Sequence, residues 1–171
     1  MSDSFQVVSG KVVISDPCYE LDDSLNVVVE KVKIGTWIAQ RKMLDKHIVR
    51  EIVLQCGFPT VQKEVYLPQN FCIDSGQVSV FDAAHYRKDN DVTWMPEFDA
   101  IGIDGREEGI KWYNAVSDLT LKDDGHGYLM FGFCSDNGVG DIDYQVKLGY
   151  DKHGQVVQIT IRFRSEEDGE R

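Results

Sequence analysis

Toward the C-terminus apolar and polar positions alternate without a break: Val157, Ile159, Ile161 and Phe163 fall on one side, Gln158, Thr160, Arg162 and Arg164 on the other. This period of two is the signature of a half-buried β-strand. Just upstream Tyr144, Val146, Leu148 and Tyr150 alternate with Asp143, Gln145, Lys147 and Gly149, and Asp151-Lys152-His153-Gly154 supplies a turn ending in glycine. Leu129, Phe131 and Phe133 give a third strand, so residues 128–163 predict an antiparallel meander, with the loop 135–141 as its first connection. At the other end, 5–8 and 11–14 flank Ser9-Gly10 and predict one bent or bulged strand, stopped at Asp16-Pro17 because proline has no amide proton for a ladder. Residues 27–34 and 36–43 are β-like, with Gly35 as a bend. The segment 48–58 places Ile52, Leu54, Cys56 and Phe58 on one face, and 71–82 reads as strand, turn at Ser75-Gly76, strand. Asp82 can cap a short helical turn through Tyr86.

One stretch carries the helical period. Ile110, Trp112, Tyr113, Val116 and Leu119 form a broad apolar stripe, and Asp104 with Glu107 has the spacing of a capping box, which predicts a helix over about 104–119. Residues 88–105 show no sustained period and predict an irregular cover over a site. No internal repeat and no low-complexity segment stand out. The expectation is a single domain over 1–171, mainly β with one substantial helix (α+β), built as an antiparallel sandwich or partly open barrel.

Composition narrows the functional classes. The chain of 171 residues has 42% hydrophobic and 27% charged positions, ordinary for a folded domain. It contains no apolar run long enough to span a bilayer, and its first residues lack the basic region and apolar core of a signal peptide, so no membrane partner and a cytoplasmic location are expected. The formal charge of −11 repels phosphate backbones, which argues against direct nucleic-acid binding and favours a small polar ligand or a protein with a basic face. Cys18, Cys56, Cys72 and Cys134 lack Cys-x-x-Cys spacing, and His47, His85, His126 and His153 lack His-x-x-x-His spacing, so structural or catalytic zinc is not indicated; the thiols read as free and mostly core-facing.

The candidate site residues are acidic turns and an aromatic. Asp136, Asp141 and Asp143, interleaved with glycines, supply the hard oxygen donors that a divalent cation such as calcium or magnesium takes, against the plainer reading of a solvated hairpin connection. Asp16 and Asp74 sit at strand ends where short acids cap local amides; placed face to face they would bind a ligand or act as an acid/base pair, with Tyr19 and Gln77 orienting. Trp94 lies in the irregular stretch, where packing gives least reason for a large aromatic, and is a binding contact by that argument. Trp37, Trp112, Tyr86 and Tyr113 read as core, with a planar-ligand pocket as the alternative. Cys18 is the one thiol placed as a nucleophile, but no histidine lies near it in the chain. A non-enzymatic binding module ranks first; a metal-assisted hydrolase using Asp16, Asp74, Asp141 and Asp143, and an acidic decoy of a basic nucleic-acid-binding enzyme, are the alternatives.

Three motifs in order, Ser15-Asp16-Pro17-Cys18-Tyr19, then Ile73-Asp74-Ser75-Gly76-Gln77 with Phe81-Asp82, then Gly140-Asp141-x-Asp143-Tyr144 with Asp151-x-x-Gly154 and Phe163, resemble the bacterial and phage family known as Domain of Unknown Function 4241. The resemblance runs over nearly the whole chain and implies a small, intracellular, mostly β protein. It implies no activity. In that family the glycine turn reads closer to Gly-Asp-Gly-x-Tyr, whereas Ile142-Asp143 stands here, so a loop-bound ligand does not carry over.

Overall fold

The computed structural model describes residues 3–20, 26–92, 108–122 and 124–164. Among these residues twelve strands, numbered in chain order, form two antiparallel sheets. The first runs β1 (Phe5–Val7), β4 (Gly35–Met43), β5 (Val49–Cys56), β12 (Val156–Phe163), β11 (Ile142–Tyr150), and β11 then pairs with both β6 (Lys63–Tyr66) and β7 (Phe71–Ile73). The second runs β3 (Val27–Val29), β2 (Val12–Ser15), β8 (Gln77–Asp82), β10 (Gly132–Asp136), β9 (His126–Leu129). Neither sheet closes on itself, so the architecture is an open sandwich rather than a barrel. Among the described residues no helix is long and apolar enough to cross a membrane.

Alternation sorts the side chains into two cores. Val12 and Ile14 of β2 pack between the sheets with Ile52, Leu54, Ile159 and Ile161, while Val13 between them points the other way. There it meets Phe81, Cys134 and the α-helix of the described residues, α1 (Ile110–Thr120), through Trp112, Ala115 and Val116. The second sheet is therefore buried on both faces, which is why 12–14 reads as a continuous apolar run and 78–81 is buried throughout, Ser79 included. Burial of each such side chain contributes roughly 1.5–3 kcal/mol.

Several expectations are corrected. Residues 5–8 and 11–14 are not one bent strand: β1 and β2 belong to different sheets, because Gly10 (φ 77°) turns the chain across the sandwich. The 128–163 meander is likewise split, since β9 and β10 lie in the second sheet and only β11 and β12 form a hairpin in the first. Phe58 leaves the β5 face and is 98% exposed. The helix is described from Ile110 onward, and Asp104 and Glu107 lie outside the described residues. Its start is capped from a distance: Gly109 provides no side chain, and Asp89, in a 3-10 turn (Asp89–Val92), accepts from the N–H groups of Gly109 at 3.0 Å and Trp112 at 2.8 Å.

The largest correction is an internal repeat. The unit β1–β2 reads Phe5-Gln-Val-Val-Ser9-Gly-Lys-Val-Val-Ile-Ser-Asp16, and β7–β8 reads Phe71-Cys-Ile-Asp-Ser75-Gly-Gln-Val-Ser-Val-Phe-Asp82. The equivalence continues through the following hairpins: β4 and β11 are each nine residues long, β5 and β12 eight, and the register shifts at Lys42/Met43 in one hairpin and at Gly149/Tyr150 in the other. Both hairpin turns contain Asp-Lys-His, at 45–47 and 151–153. Pairing registers place a pseudo-two-fold axis through Val53↔Thr160 in the first sheet and Ile14↔Val80 in the second. The register Phe5↔Trp37 in one half is matched by Phe71↔Tyr144 in the other, with interplanar angles of 32° and 31°. The halves differ chiefly in what joins β2 to β3 and β8 to β10: the connection in the second case is far longer and carries the 3-10 turn, α1 and β9.

Each half locks the other. Asp16 is 0% exposed; its Oδ2 accepts from the N–H groups of Asp74 (2.9 Å) and Ser75 (2.7 Å), and its Oδ1 from Ser75 Oγ (2.6 Å) and Cys18 N–H (3.1 Å). Asp82, also 0% exposed, repeats the set on the other half: its Oδ2 accepts from Val8 N–H (2.7 Å), Ser9 N–H (2.8 Å) and Ser9 Oγ (3.1 Å), its Oδ1 from Ala84 N–H (3.0 Å). A buried carboxylate is tolerated only when so fully bonded.

Candidate functional site

The Ser75-Gly76 turn is the place where acidic segments meet. Gly76 lies so close to Gly140 that a Cβ on it would stand 3.5 Å from the Gly140 Cα, and Asn137 N–H donates to Gly76 O at 3.0 Å. The loop 137–140 is shaped by Asn137, 1% exposed, whose Oδ1 accepts from Val139 and Gly140 N–H at 2.8 Å each and whose Nδ2 donates to Gly140 O at 2.7 Å. That organising role was unmarked in the sequence; the signal was an Asn followed by glycines. Asp74 and Asp141, both exposed, and half-buried Asp143 thereby come to one rim around the exposed Cys72. The Cys72 thiol donates to Asp143 Oδ1 at 3.0 Å, and that bond, with burial and the charges of Asp143, Asp74 and Asp141, holds the thiol above its ordinary range. Arg164 Nη1 stands 3.8 Å from Asp143 Oδ2. Tyr19 donates its hydroxyl to Asp74, a bond that raises the phenol's pKa.

The other predicted residues go elsewhere. Asp16 adjoins the rim, but its carboxylate is consumed by the turn it holds and has no capacity left for a substrate proton or an ion. Gln77 faces the helix, accepting from Thr120 Oγ1 at 2.7 Å and lying 3.4 Å from Ser117 Oγ. Asp136 turns toward Arg41 (3.7 Å) rather than toward Asp141 and Asp143, and its burial raises its carboxyl against the opposing charge of Arg41. The three loop acids are thus not gathered as ion ligands, and among the described residues no three His, Cys, Asp or Glu side chains form a group that could hold a metal ion. Trp94 lies outside the described residues. Trp37 and Trp112 are core, at 1% and 0% exposed, as is Tyr86, which bonds Ser15 Oγ (2.7 Å) and Tyr19 O (2.6 Å).

All four cysteines are free, and only Cys134 is fully buried, so the expectation of mostly core-facing thiols is not met. Cys18 is half-buried; burial and the Asp16 carboxylate push its thiol up to about 12, which leaves it protonated at neutral pH and unsuited to nucleophilic attack. Beside the rim a concavity of about 370 Å³ is lined by Asn70, Asp143, Gln145, Arg162 and Arg164 with Tyr144 and Phe163. No family model, curated protein or solved structure matches this chain.

Proposed function

We propose that the chain is a binding module, without catalysis of its own, that takes a protein with a basic face across the rim of Tyr19, Asp74, Asp141 and Asp143. One observation carries this reading. The pseudo-two-fold supplies an internal control for what the fold requires, because the first half builds the same turn and strand entry with Val8 at the position of Asp74, Ile34 at that of Asp141 and Thr36 at that of Asp143. The fold needs no acid at these places, whereas Asp16 has its structural twin in Asp82. Acids that the architecture does not require, held at one exposed edge of a chain of net charge −11, suit a partner that brings several cations at once. They are too dispersed to chelate one ion. A cytoplasmic setting agrees with four unpaired thiols.

The test compares proteins captured from an extract by the immobilised chain and by the D74A/D141A/D143A variant. The expected result is a set of basic proteins released by moderate salt and lost with the variant. An identical set on both would remove the proposal.

A further inference from the structure

The second half's concavity has a counterpart where the first half meets the β11–β12 turn, with Thr36, Cys56 and Gly57 at the related positions, and it carries different chemistry. Its volume is about 720 Å³, within the roughly 300–1,000 Å³ typical of small-molecule sites. Thr36, Cys56 and Gly57 line it where Asp143, Phe163 and Arg164 line the other. Its walls are anchored. On one side Gln55 Nε2 donates to Gly57 O at 3.1 Å and Gln62 N–H to Tyr150 O at 2.7 Å, which pins the segment carrying Phe58 and Pro59. On the other, the Asp151 turn is closed by its own carboxylate, whose Oδ1 accepts from His153 N–H (2.9 Å) and Gln155 N–H (3.0 Å). That acid, the single carboxylate of the lining, is thereby directed into the turn.

With Asp151 turned inward, the lysines and the ring of Phe58 stand among neutral polar groups, Thr36, Thr60 and Gln62. Lys33, Lys152 and His153 line the concavity, and the backbone of Lys33 is held at both ends, its N–H donating to Val156 O at 2.9 Å and its O accepting from Trp37 Nε1 at 2.9 Å. Burial holds the Cys56 thiol above its ordinary range with the Lys33 charge opposing it, and the Asp151 carboxyl is held low chiefly by the Gln155 N–H, with a smaller contribution from Lys33. Phe58 is 98% exposed at the edge, an aromatic that contributes nothing to the core. Cations beside an unpacked ring, on a molecule otherwise strongly negative, select a ligand with a negative group and a flat face.

We propose that this concavity is a second binding site, separate from the acidic rim, for a small planar anion of the nucleoside-monophosphate type. The lysines hold the anionic group and Phe58 stacks on the ring. The probes are AMP and inorganic phosphate, titrated into the full chain by calorimetry, with alkylation of Cys56 followed by mass spectrometry as a local readout. AMP is expected to bind saturably and to protect Cys56. The K33A/K152A pair is expected to weaken AMP by about tenfold or more, as loss of two charge-assisted contacts implies. Phe58→Ala should weaken AMP while leaving phosphate unaffected, and D74A/D141A/D143A should bind AMP normally. These side chains lie outside both cores, so thermal unfolding of each variant should match the parent. No AMP binding, no protection of Cys56, or affinity unchanged in either F58A or K33A/K152A would overturn the site.

Discussion

The two halves of this chain are the same solution reached twice, and their differences separate what the fold demands from what it merely carries. Both enter through a short strand in the first sheet, turn at Ser-Gly, cross to the second sheet, end on a buried aspartate, and return as a long hairpin closed by Asp-Lys-His. Where they match, the residue serves geometry. Where they part, the first half presents Lys33 and an exposed Phe58, whereas the second presents acids and inserts a helix.

The sharpest way to break the equivalence is to remove one aspartate of the matched pair. Asp16→Ala strips three hydrogen bonds from the turn of the second half and one from Cys18, and Asp82→Ala strips three from the turn of the first half and one from Ala84. Leaving those amides unmet inside the protein should cost about 3–5 kcal/mol in either case. Urea unfolding of the two variants should give losses that agree to within about 1 kcal/mol. If only one is damaging, the halves are not held reciprocally.

A smaller effect is expected where the halves differ. Asp89 belongs to the inserted segment and caps α1 by two bonds, so Asp89→Ala should cost about 1–2 kcal/mol, the range of a lost N-cap. Backbone hydrogen exchange should show the loss concentrated in residues 110–120, with β1 to β5 protected as before. Equal loosening of both halves would mean that the insertion is part of the shared scaffold.

Strand existence was legible because side-chain period is local: β11 and β12 announce themselves by alternation. Strand partnership was not, because a turn such as Ser9-Gly10 reads the same whether it folds a strand back in its own sheet or carries it into the opposite one. The repeat was hidden for a related reason. Its identities are few, Phe5/Phe71, Ser9/Ser75, Gly10/Gly76, Val12/Val78 and Asp16/Asp82, and the second copy is interrupted by the helix, so the equivalence emerges only from strand register. Of the site, Asp74, Asp141 and Asp143 share one exposed rim, a grouping that cuts across the pair Asp16 and Asp74 and the set Asp136, Asp141 and Asp143 named from the sequence. The partners of Asp16, Gln77 and Asp136 are a turn, α1 and Arg41, which the chain's composition does not specify because it carries no information on which way a polar side chain faces, and Phe58 falls off the β5 face because alternation ends with the strand at Cys56.

The Asp-Lys-His turns allow a comparison by pH. Asp45 is held below its ordinary value of 3.8 chiefly by the N–H groups of His47 and Ile48, and Asp151 chiefly by that of Gln155, aided by His153. A carboxyl whose folded pKa is depressed contributes stability above its unfolded pKa and loses it as pH falls through the folded value. Asp45→Asn and Asp151→Asn should therefore both flatten the acid limb of stability below about pH 4, to similar extents, as read from urea midpoints against pH. Carboxyl NMR titration should place both groups below 3.8. A steep dependence surviving in one variant alone would assign the acid response to a single half.

The finest comparison exchanges the rim itself. D74V, D141I and D143T give the second half the residues the first half already uses at those positions, and the turn they flank keeps its Ser-Gly geometry and its buried Asp16. The exchange removes three exposed or half-exposed carboxylates that repel one another, and with them the Tyr19, Cys72 and Arg164 contacts, all near solvent. Surface terms of this kind are each worth little and partly cancel, so stability should move by no more than about 0.5 kcal/mol in either direction. The Cys72 thiol, freed from its carboxylates, should ionise at lower pH and alkylate faster at pH 8. A well-folded variant with an accelerated Cys72 would establish that these acids are carried by the scaffold without supporting it. A loss comparable to that of Asp16→Ala would return them to the fold and leave the basic partner without its argument.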